Sequence, residues 1–150
     1  NGGDELQHGL GPALQRLAGQ HTDRGLAIAV RVRGTAVRLP QSAERMLYMA
    51  TKEALFNVVL HAEATRAAVH LVHGPGAVRL HVSDDGQGRA ADLRAHLGRA
   101  RLRCSDGYHR GLANLEERVR LAGARLSIHD VPGGGVRLRV TMPLDRAVGA

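Results

Sequence analysis

Two periods of apolar and polar residues run along the chain, and the changes between them mark its elements. Val136, Leu138, Val140 and Met142 alternate with Arg137, Arg139 and Thr141, and Val78, Leu80 and Val82 alternate with Arg79 and His81. A period of two sends each apolar set to one face of a strand, so both segments are expected to have one buried and one wet face. Strands are predicted at residues 77–83 and 136–142, with others at 26–32, 67–72 and 125–129. Elsewhere the period is helical. Leu10, Ala13, Leu14 and Leu17 share one helical face, as do Leu112, Leu115, Val119 and Ala122, with Gly123 as the expected C-cap. A long helix is predicted from Ser42, read as its N-cap after Pro40, to about Ala64, and a short one at 91–97. Turns fall at 73–76 and 132–135. Helices on the apolar face of one mixed sheet make a two-layer α/β sandwich.

Composition narrows the class. At 150 residues and 43% apolar content the chain is one domain long and can bury a core. No apolar stretch approaches the roughly 18 residues of a membrane span. The opening Asn1-Gly2-Gly3 reads as a fragment, and the single Cys104 excludes an internal disulfide and fits a reducing, cytoplasmic setting. The net charge of +7 raises the question of nucleic acid. The basic residues look scattered along the chain, however, and with 2% aromatics little is available to stack on bases, so no nucleic-acid partner is expected.

Three segments could carry chemistry. Glu53, Asn57 and His61 recur every four residues on the long helix, among Ala50, Ala54, Leu55, Val58 and Val59. A carboxylate, an amide and an imidazole aligned on an otherwise apolar helix suit a hydrated cation with phosphates; the alternative is the polar edge of an amphipathic helix. Asp84-Asp85-Gly86-Gln87-Gly88 follows a strand, where glycines admit a ligand to the backbone and a carboxylate can accept from an exocyclic amine; a plain turn is the alternative. Tyr108-His109-Arg110-Gly111-Leu112 precedes a helix whose free N–H groups form a natural phosphate seat, though glycines near helix starts are common.

In this order, the helix stripe, Asp-x-Gly-x-Gly after a strand, Gly-Leu at a helix start and the glycine hairpin resemble the GHKL (Bergerat) ATP-binding fold over residues 45–144. Within it, Glu53-Ala54-Leu55-Phe56-Asn57 through His61-Ala62 and Leu112-Ala113-Asn114-Leu115-Glu116-Glu117-Arg118 resemble sensor histidine kinases of the nitrate-response type. The resemblance implies residues 1–24 as a link from the dimerisation region and 25–150 as the ATP-binding catalytic domain.

It also implies roles. Asn57 and Glu53 would hold Mg²⁺, with Glu53 the candidate base; His61 would face the phosphates; Asp84 would bond the adenine amino group, with Gly86 and Gly88 shaping the pocket; His109, Arg110, Gly111 and Leu112 would cradle phosphate. Leu60, His109 and Val136 stand where the family often has Lys, Gly and Thr, and Arg110 is the candidate to replace the missing lysine. The implied reaction is transfer of the γ-phosphoryl of ATP to a histidine on a separate dimerisation domain, for relay to a response regulator, in a homodimeric full-length protein. Neither His8, followed by Gly9, nor the strand-end pair His129-Asp130 fits the phosphoacceptor, so it is expected outside this sequence. The alternatives are an anti-sigma-factor-type serine kinase and a nucleotide-binding interaction domain of the same fold.

Overall fold

The computed structural model of the chain describes residues 6–22, 25–61, 63–95 and 110–144. Strands β1 (Ala27–Arg33), β2 (Arg66–His73), β3 (Ala77–Asp84), β4 (Arg125–Asp130) and β5 (Val136–Pro143) form one sheet in the order β1-β2-β3-β5-β4. Only the β1–β2 pairing is parallel, so the sheet is mixed, as the sequence predicts. Helices α1 (Leu10–Thr22), α2 (Gln41–His61) and α3 (Arg110–Leu121) form the second layer, with α2 in the middle touching β2, β3 and β5.

The alternation becomes the core. Val69, Leu71, Val78, Leu80 and Val140 reach zero exposure on the helix-facing side of the central strands, meeting Leu47 and Leu55 of α2. Each such side chain contributes about 1.5–3 kcal/mol by leaving water. Leu6, Leu10, Ala13, Leu14 and Leu17 belong to the same cluster, so the segment at 6–22 packs as part of this body.

Three boundaries differ from the sequence reading. Helix α2 begins before Ser42, because the Pro40 carbonyl accepts from the amides of Ala43 (2.9 Å) and Glu44 (3.1 Å). Pro40 is therefore the cap, and the Glu44 carboxylate reaches back to the Leu39 amide (3.3 Å). The helix ends at His61, short of Ala64, and Glu63 turns the chain with a φ of 50°. Gly111 lies inside the first turn of α3 and does not precede it. The short predicted helix occupies 90–95, and its remainder lies outside the described residues. The far end of α3 meets expectation: Gly123 (φ 77°) donates to Arg120 and Ala124 donates to Val119, a Schellman closure.

A fourth difference concerns charge. Arginines that look scattered in sequence are brought by strand register onto the sheet face away from the helices, since residues two apart along a strand, and residues paired across neighbouring strands, share a face.

Candidate functional site

Topology brings the candidate segments to one end of the molecule. Helix α2 ends at His61 and the chain enters β2 at Arg66, beside the end of β3, because Ala67 pairs with Asp84. Strand β4 ends and β5 begins at this same end, where Asp130 pairs with Val136. Helix α3 closes onto the start of β4 at the opposite end, so its N-terminus points back toward Asp84. Four separated stretches thereby converge.

Asp84 is half-buried at the tip of β3, and its Oδ1 accepts the Gly86 amide at 2.8 Å. Burial raises its pKa above the ordinary value, opposed by hydrogen bonds from the Gly86 and Val136 backbone. Its neighbour does the reverse. Asp85 is exposed and pins the loop: it accepts the Thr65 amide (2.9 Å), the Thr65 hydroxyl (2.8 Å) and the Arg66 amide (2.9 Å). These bonds, that of Arg66 first, lower its pKa. One aspartate ties the loop down while the other holds a half-buried carboxylate against the Gly86 amide.

Gly86, Gln87, Gly88 and Arg89 form one wall of a cleft of about 290 Å³, and Asp130, Val131, Gly134 and Gly135 form the other. Gly135 (φ 96°) passes so close to Asp84 that a Cβ there would overlap the Asp84 carbonyl oxygen. Asp130 accepts the Ala90 amide at 2.8 Å, which fixes the segment leaving the cleft. Larger cavities, between α2 and α3 at Arg45 and Arg118 and between α1 and residues 36–39, lie at the other end of α2.

On α2, Glu53 is half-buried, and burial raises its carboxyl pKa, opposed by Lys52. One turn later the Asn57 Nδ2 is buried with no hydrogen-bond partner. An amide N–H with unspent donor capacity, on the helix face that carries a carboxylate, fits a phosphate oxygen, while its Oδ1 is the atom suited to a hydrated cation. His109 lies outside the described residues, as do the side chains of His61, Arg110 and Leu112; the backbone of Arg110, Gly111 and Leu112 forms the first turn of α3. Sequence reasoning missed Asp85, Asp130 and Gly135 as the residues that hold the cleft. The only signal was indirect: an aspartate beside the candidate ligand, and a third consecutive glycine where a hairpin needs fewer.

A mixed sheet under a single helical layer, with a carboxylate, glycine turns and a polar helix stripe at one end, defines a two-layer α/β sandwich with a candidate ligand site. The chain belongs to the histidine kinase-, DNA gyrase B- and HSP90-like ATPase family, which matches residues 42–146. It is 29% identical over 109 residues to the sensor protein VraS of Staphylococcus haemolyticus, covering 73% of this chain and 28% of that protein. It is 30% identical over 112 residues to a sensor-like histidine kinase of Chloroflexus aurantiacus, covering 73% of this chain and 17% of that protein. Among solved structures, the histidine kinase domain of the blue-light activated kinase EL346 of Erythrobacter litoralis is similar at a TM-score of 0.67 and 26% identity, covering 92% of this chain and 66% of that one. The chain thus spans less than a third of these two sensor relatives. No helix among the described residues is long and apolar enough to cross a membrane.

Proposed function

We propose that this domain binds Mg-ATP and supplies the γ-phosphoryl group to a histidine on the dimerisation domain of its own full-length protein, for relay to a response regulator. The observation that carries the reading is the pairing of a half-buried Asp84, on the helix-facing side of β3, with the unpartnered Asn57 amide of α2 at the same end of the sheet. Asp84 would accept the adenine amino group, with Gly86 and Gly88 allowing the base close to the backbone. Asn57 and Glu53 would hold Mg²⁺, which when bound would neutralise charge on the phosphates. His61, His109 and the first turn of α3 at Arg110, Gly111 and Leu112 would face the phosphates, where the helix N-terminus favours negative charge. Phosphoryl transfer needs mainly positioning and charge neutralisation, which a rigid loop pinned by Asp85 supports.

The nitrate-response grouping, a cytoplasmic setting, a homodimeric full-length protein and residues 1–24 as the link from the dimerisation helices belong to the same proposal. Calorimetric titration with Mg-ADP tests the site: saturable binding that Asp84→Asn weakens at least about tenfold, or 1.4 kcal/mol, is expected. Absence of binding by the parent chain rejects the reading. Incubation with the separate dimerisation domain and ATP tests the transfer, with an acid-labile phosphohistidine expected; acid-stable phosphoserine would move the assignment to the serine-kinase alternative.

A further inference from the structure

The sheet face away from the helices carries a charge distribution that the nucleotide site does not use. Strand pairing sets its rows: Arg31, His70, His81, Arg139 and Ser127 lie side by side across the five strands. The flanking rows add Arg33, Arg79 and Arg125 on one side, and Arg137 and His129 on the other. Arg66, at the end of β2, has the same parity. Every one of these residues is exposed or half-exposed, whereas the alternate positions of β2, β3 and β5 are largely buried. No acidic residue occupies this face among the described residues; Asp84 and Asp130 have the opposite parity.

Among the described residues the charge of this face is wholly basic. Seven arginines lie on this face, and taking them from the chain's 21 Lys and Arg leaves 14, which equals the 14 Asp and Glu. The seven arginines of this face thus equal in number the chain's formal excess of +7. None of the seven is held in an ion pair among the described residues, and the Arg139 Nε is buried with no partner. The field is felt by the two histidines in the middle row. Burial and then Arg31, Arg33 and Arg137 lower the His70 pKa, while burial and then Arg139 and Arg137 lower that of His81.

We infer that this face docks onto an anionic phospholipid surface. The charge is spread over an area about 19 Å wide at the usual strand spacing, not along a groove, so it matches a two-dimensional array of phosphates better than a single extended polymer. Nucleic acid is disfavoured because no aromatic side chain stands on the face to stack on bases. A protein partner would seek a large apolar or aromatic anchor at the centre, and the exposed or half-exposed apolar side chains of this face are only Ala27, Ala29, Ala68 and Val72, with Pro143 at its edge. A second copy would bring like charge against like. Arginine, with its planar fork, grips phosphate oxygens in pairs. The helical layer faces away from such a surface, so docking would leave the nucleotide cleft at the sheet's end open; the inference does not depend on nucleotide binding.

Flotation of this chain with vesicles of phosphatidylcholine containing 30 mol% phosphatidylglycerol, against pure phosphatidylcholine, is the test. Binding to the anionic vesicles alone, weakening with added salt, is expected. Removing two face charges with Arg79→Gln and Arg139→Gln should weaken it about 25-fold, roughly fivefold per arginine. The edge-strand pair Arg31→Gln and Arg33→Gln should do the same, and covers the case in which the central pair perturbs folding. Removing two charges from the helical layer, with Arg45→Gln and Arg118→Gln, should change binding less than twofold. Equal losses from the face and helix variants would reduce the effect to net charge and overturn the inference. So would failure to bind anionic vesicles, or equally tight capture by polyglutamate of matched charge.

Discussion

Gly135 and Asp84 approach so closely that no side chain fits between them: a Cβ on Gly135 would overlap the Asp84 carbonyl oxygen. Gly135 also has a φ of 96°, which disfavours any L side chain. Gly133 has a comparable φ of 93° but open space around it. The pair separates backbone strain from collision. Gly133→Ala should cost about 1–2 kcal/mol, the usual strain of such a conformation. Gly135→Ala should cost at least about 1 kcal/mol more and weaken Mg-ADP binding, because relief of the overlap moves the backbone that carries Asp84. Urea midpoints and nucleotide titrations of the two variants check this; equal costs would mean that the contact is relieved freely.

Adjacent aspartates should respond to pH with opposite sign. The Asp85 carboxyl is held below its ordinary range by bonds from Arg66 and Thr65, so its stabilising contribution is present above that range and lost as pH falls through the folded value. Burial raises Asp84, so its contribution is present in acid and lost as pH rises through the raised value. Asp85→Asn is therefore expected to lower the urea midpoint at neutral pH, with the deficit shrinking in acid. Asp84→Asn should leave the neutral midpoint unchanged or raise it. A deficit for Asp85→Asn that persists undiminished in acid would assign its role to shape and not to charge.

The fold was legible where one physical demand dominated. Strands β3 and β5 each bury one face, so Val78, Leu80 and Val82, and Val136 to Met142, announced themselves by alternation. Gly123 was legible as a cap because the apolar period stops there. Boundaries set by side chains reaching across sequence were not: nothing local to Ser42 shows that the Pro40 carbonyl opens the helix or that Glu44 turns back to Leu39. The cleft was half legible. Residue types and spacing marked Glu53, Asn57 and Asp84, but the partners of Asp85 lie 19 and 20 positions away and that of Asp130 lies 40 away. The basic face was invisible for the same reason, since arginines on strands far apart in sequence become neighbours only through register.

The Arg38–Glu44 pair should show asymmetric costs. Glu44 is 3% exposed and its carboxylate accepts from Arg38 Nε (3.2 Å), Arg38 Nη2 (3.1 Å) and the Leu39 amide. The Arg38 side chain is 67% exposed. Arg38→Ala strips a buried carboxylate of its counter-charge, which is expected to cost about 3 kcal/mol. Glu44→Gln keeps an oxygen for the Leu39 amide and leaves Arg38 solvated, so about 1 kcal/mol is expected. Thermal or urea unfolding decides, and a larger cost for Glu44→Gln would show that the pair itself, not its broken half, is what stabilises.

Asn57 offers the sharpest separation of stability from function. Its Nδ2 is buried without a partner, so the folded chain gains no hydrogen bond from it and bears the cost of its desolvation. Asn57→Leu removes that cost and substitutes a better helix former at a position inside α2. The variant should be as stable as the parent or more so, by up to about 1 kcal/mol. Its response to nucleotide should vanish. The parent, at a Mg-ADP concentration of about 100 times Kd, is expected to gain roughly 2.7 kcal/mol of stability, and the variant almost none. Thermal melts of both chains with and without Mg-ADP measure the two effects together. Loss of more than about 1 kcal/mol without nucleotide would make Asn57 a structural residue. A full ligand response in the variant would remove it from the site. Equal stability with no ligand response is what a group kept for its ligand should give.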